Sequence, residues 1–282
     1  MKKHPAFSII ELSIVVLVIG IMMTIVAQSI KMTTNARLVS ARTLTSRSPV
    51  PDIPGLVAWY ETSKLESFKP SEAVDSRQIS TWYDVSPGSV PKKLNTLTRT
   101  ASSAVTYKLD GIGKLPSVYF NGTNRISVTS FYQGITSQNT VILVARPYVA
   151  LSSTGIVFDS GNVARGCVLA FNPSNYYFSC ITANNVSATI NTYQDYVVAA
   201  YINGSSSKVY SNDVNNMASG STVNIGSNSL DGLSIGSDRS GNYGLTGLVS
   251  EMIIYNRPLQ AQERRDVMNY LSQKYGITVS GL

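Results

Sequence analysis

Thr140-Val-Ile-Leu-Val-Ala145 is an unbroken run of strand-forming residues between turn-forming sequences, and the same design recurs along the chain. Leu56-Val-Ala-Trp-Tyr60, Ser117-Val-Tyr-Phe120, Gly155-Ile-Val-Phe158, Tyr196-Val-Val-Ala-Ala-Tyr201 and Val249-Ser-Glu-Met-Ile-Ile-Tyr255 are further runs of strand length. Asn121-Gly122, Asn203-Gly204 and Asp231-Gly232 punctuate them with dipeptides suited to tight turns. Strands divided by turns, with no helical segments alternating between them, predict a mainly β fold, an antiparallel sandwich, and disfavour a parallel doubly wound sheet. One helix is expected near the end, where Gln262 to Lys274 sets Val267, Met268, Leu271 and Tyr275 on one face before Gly276, a helix stop.

Upstream of the strands the pattern changes. Phe7 to Val26 is almost wholly apolar, and twenty helical residues at about 1.5 Å each span a bilayer core. Glu11 interrupts this run near its start, where an unpaired charge is costly and marks function. From Ala27 to Ser48 there is no Pro or Gly, so the helix continues as an amphipathic stalk. Ile30, Thr34, Leu38, Ala41 and Leu44 lie near one face, and Lys31, Arg37, Arg42 and Arg47 on the other. Ser48-Pro-Val-Pro-Asp-Ile-Pro54 stops it, because proline lacks the donor and clashes with the preceding turn. The expected organisation is a short basic segment over 1–6, a membrane helix and stalk over 7–48, a Pro-rich linker over 49–54 and a sandwich over 55–282.

The chain of 282 residues is 14% charged and 43% hydrophobic, and its one histidine, His4, lies within the first six residues. Histidine-dependent triads and histidine-ligated metal sites are therefore excluded from the sandwich. The net charge of +7 comes from scattered residues, several of them flanking the apolar helix, so nucleic acid is not expected as a partner. Cys167 and Cys180 bracket two short strands around Asn172-Pro-Ser-Asn175. Counting outward from a two-residue loop sets them opposite one another in a non-hydrogen-bonded pair, which predicts a disulfide, with two free thiols as the alternative. Trp82 and Asp84 read as a turn anchor and an acceptor for backbone amides, with a ligand or structural calcium site as the alternative; no cofactor is expected.

Lys2-Lys-His-Pro-Ala6 followed by Phe7-Ser-Ile-Ile-Glu11-Leu12 and the long apolar helix resembles a type IV prepilin or pseudopilin N-terminus. The resemblance implies that 1–6 is a prepilin leader, that a prepilin peptidase cuts between Ala6 and Phe7 and that the new amino terminus of Phe7 is methylated. Glu11 would pair with the amino terminus of a neighbouring subunit during filament assembly. Ala6 departs from the glycine usual before the cut. The implied location is the bacterial inner membrane, crossed once, with the C-terminal domain in the periplasm and, after assembly, on the cell surface.

Leu56-Val-Ala-Trp-Tyr60, Ile79-Ser-Thr-Trp-Tyr-Asp-Val-Ser86, Pro116-Ser-Val-Tyr-Phe-Asn-Gly-Thr123 and Leu233-Ser-Ile-Gly236 come in the order found in concanavalin A-like domains. With Gly247-Leu-Val-Ser-Glu-Met-Ile-Ile-Tyr-Asn-Arg-Pro-Leu259 and Tyr270-Leu-Ser-Gln-Lys-Tyr-Gly276, they resemble the laminin-G-like branch of that superfamily. This implies an antiparallel jelly-roll sandwich, a fold that hosts glycan binders and glycosidases alike. Its hydrolytic members carry acidic residues alternating along one strand, about 5 Å apart for retention. No such motif stands here: Glu61, Glu66, Glu72 and Asp75 are divided by loop-like sequence and Glu251 is alone in its strand. The expectation is therefore a non-enzymatic, pilin-like or pseudopilin-like subunit of a type IV pilus or type II secretion filament, displaying a lectin-like adhesion domain. Its partners would be the peptidase, other subunits, the inner membrane and glycans. A tethered carbohydrate-binding protein that does not polymerise and a glycoside hydrolase are the alternatives. Tyr176, Tyr177 and Tyr243 are candidates for stacking on sugar rings, against a packing role.

Overall fold

The computed structural model describes residues 8–87, 95–99, 105–132, 138–148, 155–160, 169–171, 191–203, 206–215 and 230–282. It contains two compact units, one ending at Ser40 and the other comprising Ala41–Leu282.

The first unit is the greater part of α1, Ile9–Ser46, a helix of 38 residues. Its start is held by a reciprocal cap. The Ile10 amide donates to Ser8 Oγ at 3.3 Å and the Ser8 amide to Glu11 Oε2 at 2.9 Å, the Ser-x-x-Glu arrangement that satisfies otherwise orphaned donors. Hydroxyls within the apolar run are also served locally: Ser13, Thr24 and Thr33 donate to the carbonyls of Ile9, Gly20 and Ser29. The helix is long and apolar enough, by length and composition, to cross a membrane.

The second unit is a sandwich of antiparallel sheets. Its strands are β1 Leu56–Glu61, β2 Gln78–Ile79, β3 Thr81–Trp82, β4 Leu97–Arg99, β5 Val105–Lys108, β6 Ser117–Asn121 and β7 Ile126–Val128. They continue as β8 Gln138–Pro147, β9 Gly155–Asp159, β10 Leu169–Phe171, β11 Tyr196–Asn203, β12 Lys208–Ser211, β13 Leu233–Ile235 and β14 Thr246–Tyr255, before α2, Ala261–Tyr275. Among the described residues the larger sheet runs β12-β11-β8-β14-β6-β5-β2, with β1 sharing the β14 edge, and the smaller runs β10-β9-β13-β7-β4-β3.

Every apolar run of strand length singled out in the sequence is a strand. Where α2 covers it the larger sheet is buried on both faces, which is why β8, β11 and β14 read as continuous apolar runs. Val141, Leu143 and Ala145 of β8, and Val198 and Ala200 of β11, face the smaller sheet, whose Trp82, Ile126, Phe158 and Ile235 complete that core. Ile142, Val144, Val197 and Ala199 point the other way, under Val267, Met268 and Leu271 of α2. The helix α2 begins where Glu263 accepts the Gln260 amide at 2.8 Å and ends at Gly276, whose φ of +65° suits glycine.

The Pro-rich segment is more than a spacer. Val50 and Ile53 are buried in the α2-side core with Ala41, and Tyr255 donates to the Val50 carbonyl at 3.1 Å. The prolines end the helix while the apolar residues between them anchor the chain. Arg42, on the basic face of the amphipathic stretch, donates from Nε to the Ser63 carbonyl at 2.7 Å.

Candidate functional site

The sequence leaves Glu61 and Glu251 far apart, and the fold makes them cross-strand partners. In the pairing of β1 with β14, Glu61 lies opposite Glu251. The parity is set by bulges. Ser250 is an extra residue between the pairs Val249↔Ala145 and Glu251↔Val144, and it reverses the inward-outward alternation along β14. Val249 therefore faces the smaller sheet, while Glu251 turns toward α2.

Lys274, in the last turn of α2, meets both carboxylates. Its Nζ is 2.7 Å from Glu251 Oε2 and 2.9 Å from Glu61 Oε2, with all three side chains shut off from solvent. Glu251 also accepts from Trp59 Nε1 at 2.7 Å, Tyr270 OH at 2.8 Å and Tyr275 OH at 2.9 Å. Glu61 accepts from the Ser63 amide and hydroxyl, each at 2.8 Å, and from the Lys64 amide. Burial acts to raise the Glu61 carboxyl, but the Lys274 ammonium and the Ser63 donors together hold it below the ordinary carboxylate range. Burial likewise acts against the Lys274 charge, and the two carboxylates outweigh it, leaving the ammonium above its ordinary range. The cluster is a charged lock joining α2 to the sheet. It is closed to any substrate.

Trp82 and Asp84 hold the adjoining loop. Trp82 donates from Nε1 to the Glu61 carbonyl at 2.9 Å, and Asp84 accepts the Trp59 and Ser86 amides, each at 2.9 Å, and Asn95 Nδ2 at 3.2 Å. Burial raises the Asp84 carboxyl against the pull of those donors. Asn121 similarly accepts the Thr123 amide and hydroxyl across Gly122, which has φ +89°, so it serves turn chemistry. Among the described residues no group of three or more His, Cys, Asp or Glu is placed to hold a metal ion.

The accessible candidate lies elsewhere on the same sheet face. Tyr119, Leu248 and Arg146 are side by side across β6, β14 and β8. Tyr148 follows β8, and its ring lies 6.2 Å from that of Tyr119 and 5.1 Å from that of Tyr193. Arg146 and Asp195 form a two-point ion pair beside them, with Nε to Oδ1 at 2.5 Å and Nη2 to Oδ2 at 2.9 Å.

Of the residues expected to be functional, Glu11 caps its own helix in the single chain. Ala6, Phe7, Cys167 and Cys180 lie outside the described residues, as do Tyr176 and Tyr177. Tyr243 is exposed. Tyr119, Tyr148 and Tyr193 were not singled out by sequence. Tyr119 had a signal, an outward parity between inward Val118 and Phe120, whereas the contribution of Tyr193 depends on a turn that brings it beside β8.

No family model and no curated protein matches the chain. The fold does resemble solved structures. Trypanosoma rangeli sialidase in complex with sialic acid matches with TM-score 0.53 and 18% identity over 79% of this chain and 34% of its own. Another structure of Trypanosoma rangeli sialidase matches with TM-score 0.54 and 16% identity over 87% and 39%. Botulinum neurotoxin type C, described as depending on interaction with two ganglioside molecules for cell entry, matches with TM-score 0.52 and 10% identity over 79% and 52%. The chain thus spans little more than a third of the sialidase chains. At these identities the likeness is one of fold. It corrects the expectation of a non-enzyme, since a sandwich of this kind occurs within sialidase chains and a missing alternating acidic motif does not exclude hydrolysis on it.

Proposed function

We propose that the chain is a prepilin-like membrane subunit that presents a carbohydrate-binding sandwich. The observation that carries this reading is the N-terminal helix. It is apolar around its circumference from Ile9 to Val26 and exposed, its two hydroxyls bonded back to the helix and its single charge a carboxylate in the first turn. Such a surface asks for lipid or for other helices, and Glu11 gives a register-setting acceptor for a cationic amino terminus. In a filament the charge of Glu11 is the working property; in a lone anchor its cap is sufficient.

Glu11→Gln separates the two, because glutamine can also close the cap while carrying no charge. In the native host, the wild-type chain should start at a methylated Phe7 and copurify with filament components, and Glu11→Gln should be processed and inserted yet absent from filaments. An intact Met1 terminus, or incorporation of Glu11→Gln at wild-type level, refutes assembly by this route. A processed anchor that binds saccharide without filament partners supports the non-polymerising alternative.

A further inference from the structure

The outer face of the larger sheet is divided. Val144 on β8 and Leu248 on β14 are buried in the α2-side core, whereas the next outward positions, Arg146 on β8 and Tyr148 just after it, are partly exposed. Tyr119, Tyr148 and Tyr193 form an aromatic row there. Tyr148 and Tyr193 are stacked at 27°, so Tyr193 covers Tyr148 while remaining 64% exposed itself.

The backbone of Tyr193 is costly. Its φ is +61°, a region that glycine or asparagine enters more readily than an aromatic residue, and its amide is fixed on the Pro147 carbonyl at 2.7 Å. Local strain that exposes a large ring instead of burying it points to use of the ring. The ion pair beside it limits what the ring can meet. Arg146 is bound at two points by Asp195, so its charge is already neutralised, while leftover lone pairs and N–H groups remain for hydroxyls.

We propose that Tyr119, Tyr148 and Tyr193, with the Arg146–Asp195 pair, form a saccharide-binding surface that takes neutral pyranose chains in preference to acidic ones. The C–H face of a pyranose continues the ring stack on Tyr193, and its hydroxyls exchange hydrogen bonds with the rim. A sugar carboxylate finds its cation committed to Asp195. This inference rests on the carbohydrate-binding reading above and adds its site and ligand class.

The test uses the full chain in a sugar-free zwitterionic detergent. Calorimetric titration compares neutral hexasaccharides of glucose, mannose, galactose and xylose with sialyllactose. At least one neutral hexasaccharide should bind more tightly than sialyllactose. Tyr193→Asn, which suits the positive φ, should weaken binding about ten-fold without lowering the melting temperature, and Tyr148→Ala should weaken it as well. Saccharide binding indifferent to Tyr193→Asn overturns the surface and leaves the carbohydrate reading standing. Tighter binding of sialyllactose overturns the ligand class. Failure of the wild-type chain to bind any member of the panel overturns both.

Discussion

Replacing Lys274 by methionine removes the one cation from a closed compartment that holds two carboxylates. At 2.7 and 2.9 Å and an effective dielectric of 20, each contact carries about 6 kcal/mol of gross attraction. Most of that is offset by removing three charges from water and by repulsion between the facing glutamates. The loss on breaking such a buried pair is about 3–5 kcal/mol. For a domain of this size the melting temperature should fall by about 6–20 °C. Circular dichroism melts of the full chain in detergent measure it. The pH dependence supplies an independent sign. In the wild type, Glu61 is held below its ordinary value of 4.5 and Lys274 above its ordinary 10.5. The Glu61 contribution is therefore present above pH 4.5 and lost as pH falls through the lower folded value. The Lys274 contribution is present below pH 10.5 and lost as pH rises through the higher folded one. Without the lysine, burial raises the Glu61 carboxyl, the folded state binds a proton there more readily than the unfolded, and Lys274→Met should gain stability from pH 7 to pH 5. Adding Glu61→Gln and Glu251→Gln should recover part of the loss. A Lys274→Met chain that melts within 2 °C of wild type, or weakens on mild acidification, refutes the reasoning.

Two further substitutions test how α2 is held. Gly113 has φ +61°, and a methyl group there would run into the Tyr275 backbone, so Gly113→Ala should cost about 1–3 kcal/mol, read as a lower denaturation midpoint. Arg257 forms a bidentate pair with Glu263 at 2.6 and 2.9 Å and donates to the Pro54 carbonyl at 2.8 Å. With both side chains partly exposed, Arg257→Ala should cost only about 1 kcal/mol, and added salt should narrow the difference in chemical denaturation.

The strands, the final helix and its glycine stop were legible because they rest on local patterns: apolar runs, turn dipeptides and a 3.6-residue stripe. The buried cluster was not, although half of it left a mark. Lys274 lies on the same stripe as Val267, Tyr270 and Leu271, and a lysine on a buried stripe requires an acceptor. Nothing local identifies that acceptor, because Glu61 and Glu251 meet only through β1 pairing with β14, across most of the chain. Within its own strand Glu251 stands alone, and its partner lies on β1. The aromatic row is hidden for the same reason, as Tyr119, Tyr148 and Tyr193 come from three separate segments.

One inserted residue governs both halves of the outer face. Were Ser250 paired in regular register instead of bulged out, the alternation that sends Val249 inward would send Glu251 inward as well, into the core beside Leu143. An unpaired carboxylate there would have no cation, and Lys274 would lose one of its two partners. With the bulge, Glu251 reaches Lys274 in the last turn of α2, where a cation also suits the helix dipole. The lock thereby fixes the helix over the β1 half of β14. The β6 half, from Thr246 to Leu248, lies before the bulge and keeps the original parity, so Leu248 and its neighbours Tyr119 and Arg146 share the outward face. The residues that secure the helix and those that offer an aromatic surface to solvent thus occupy one sheet face without competing for it.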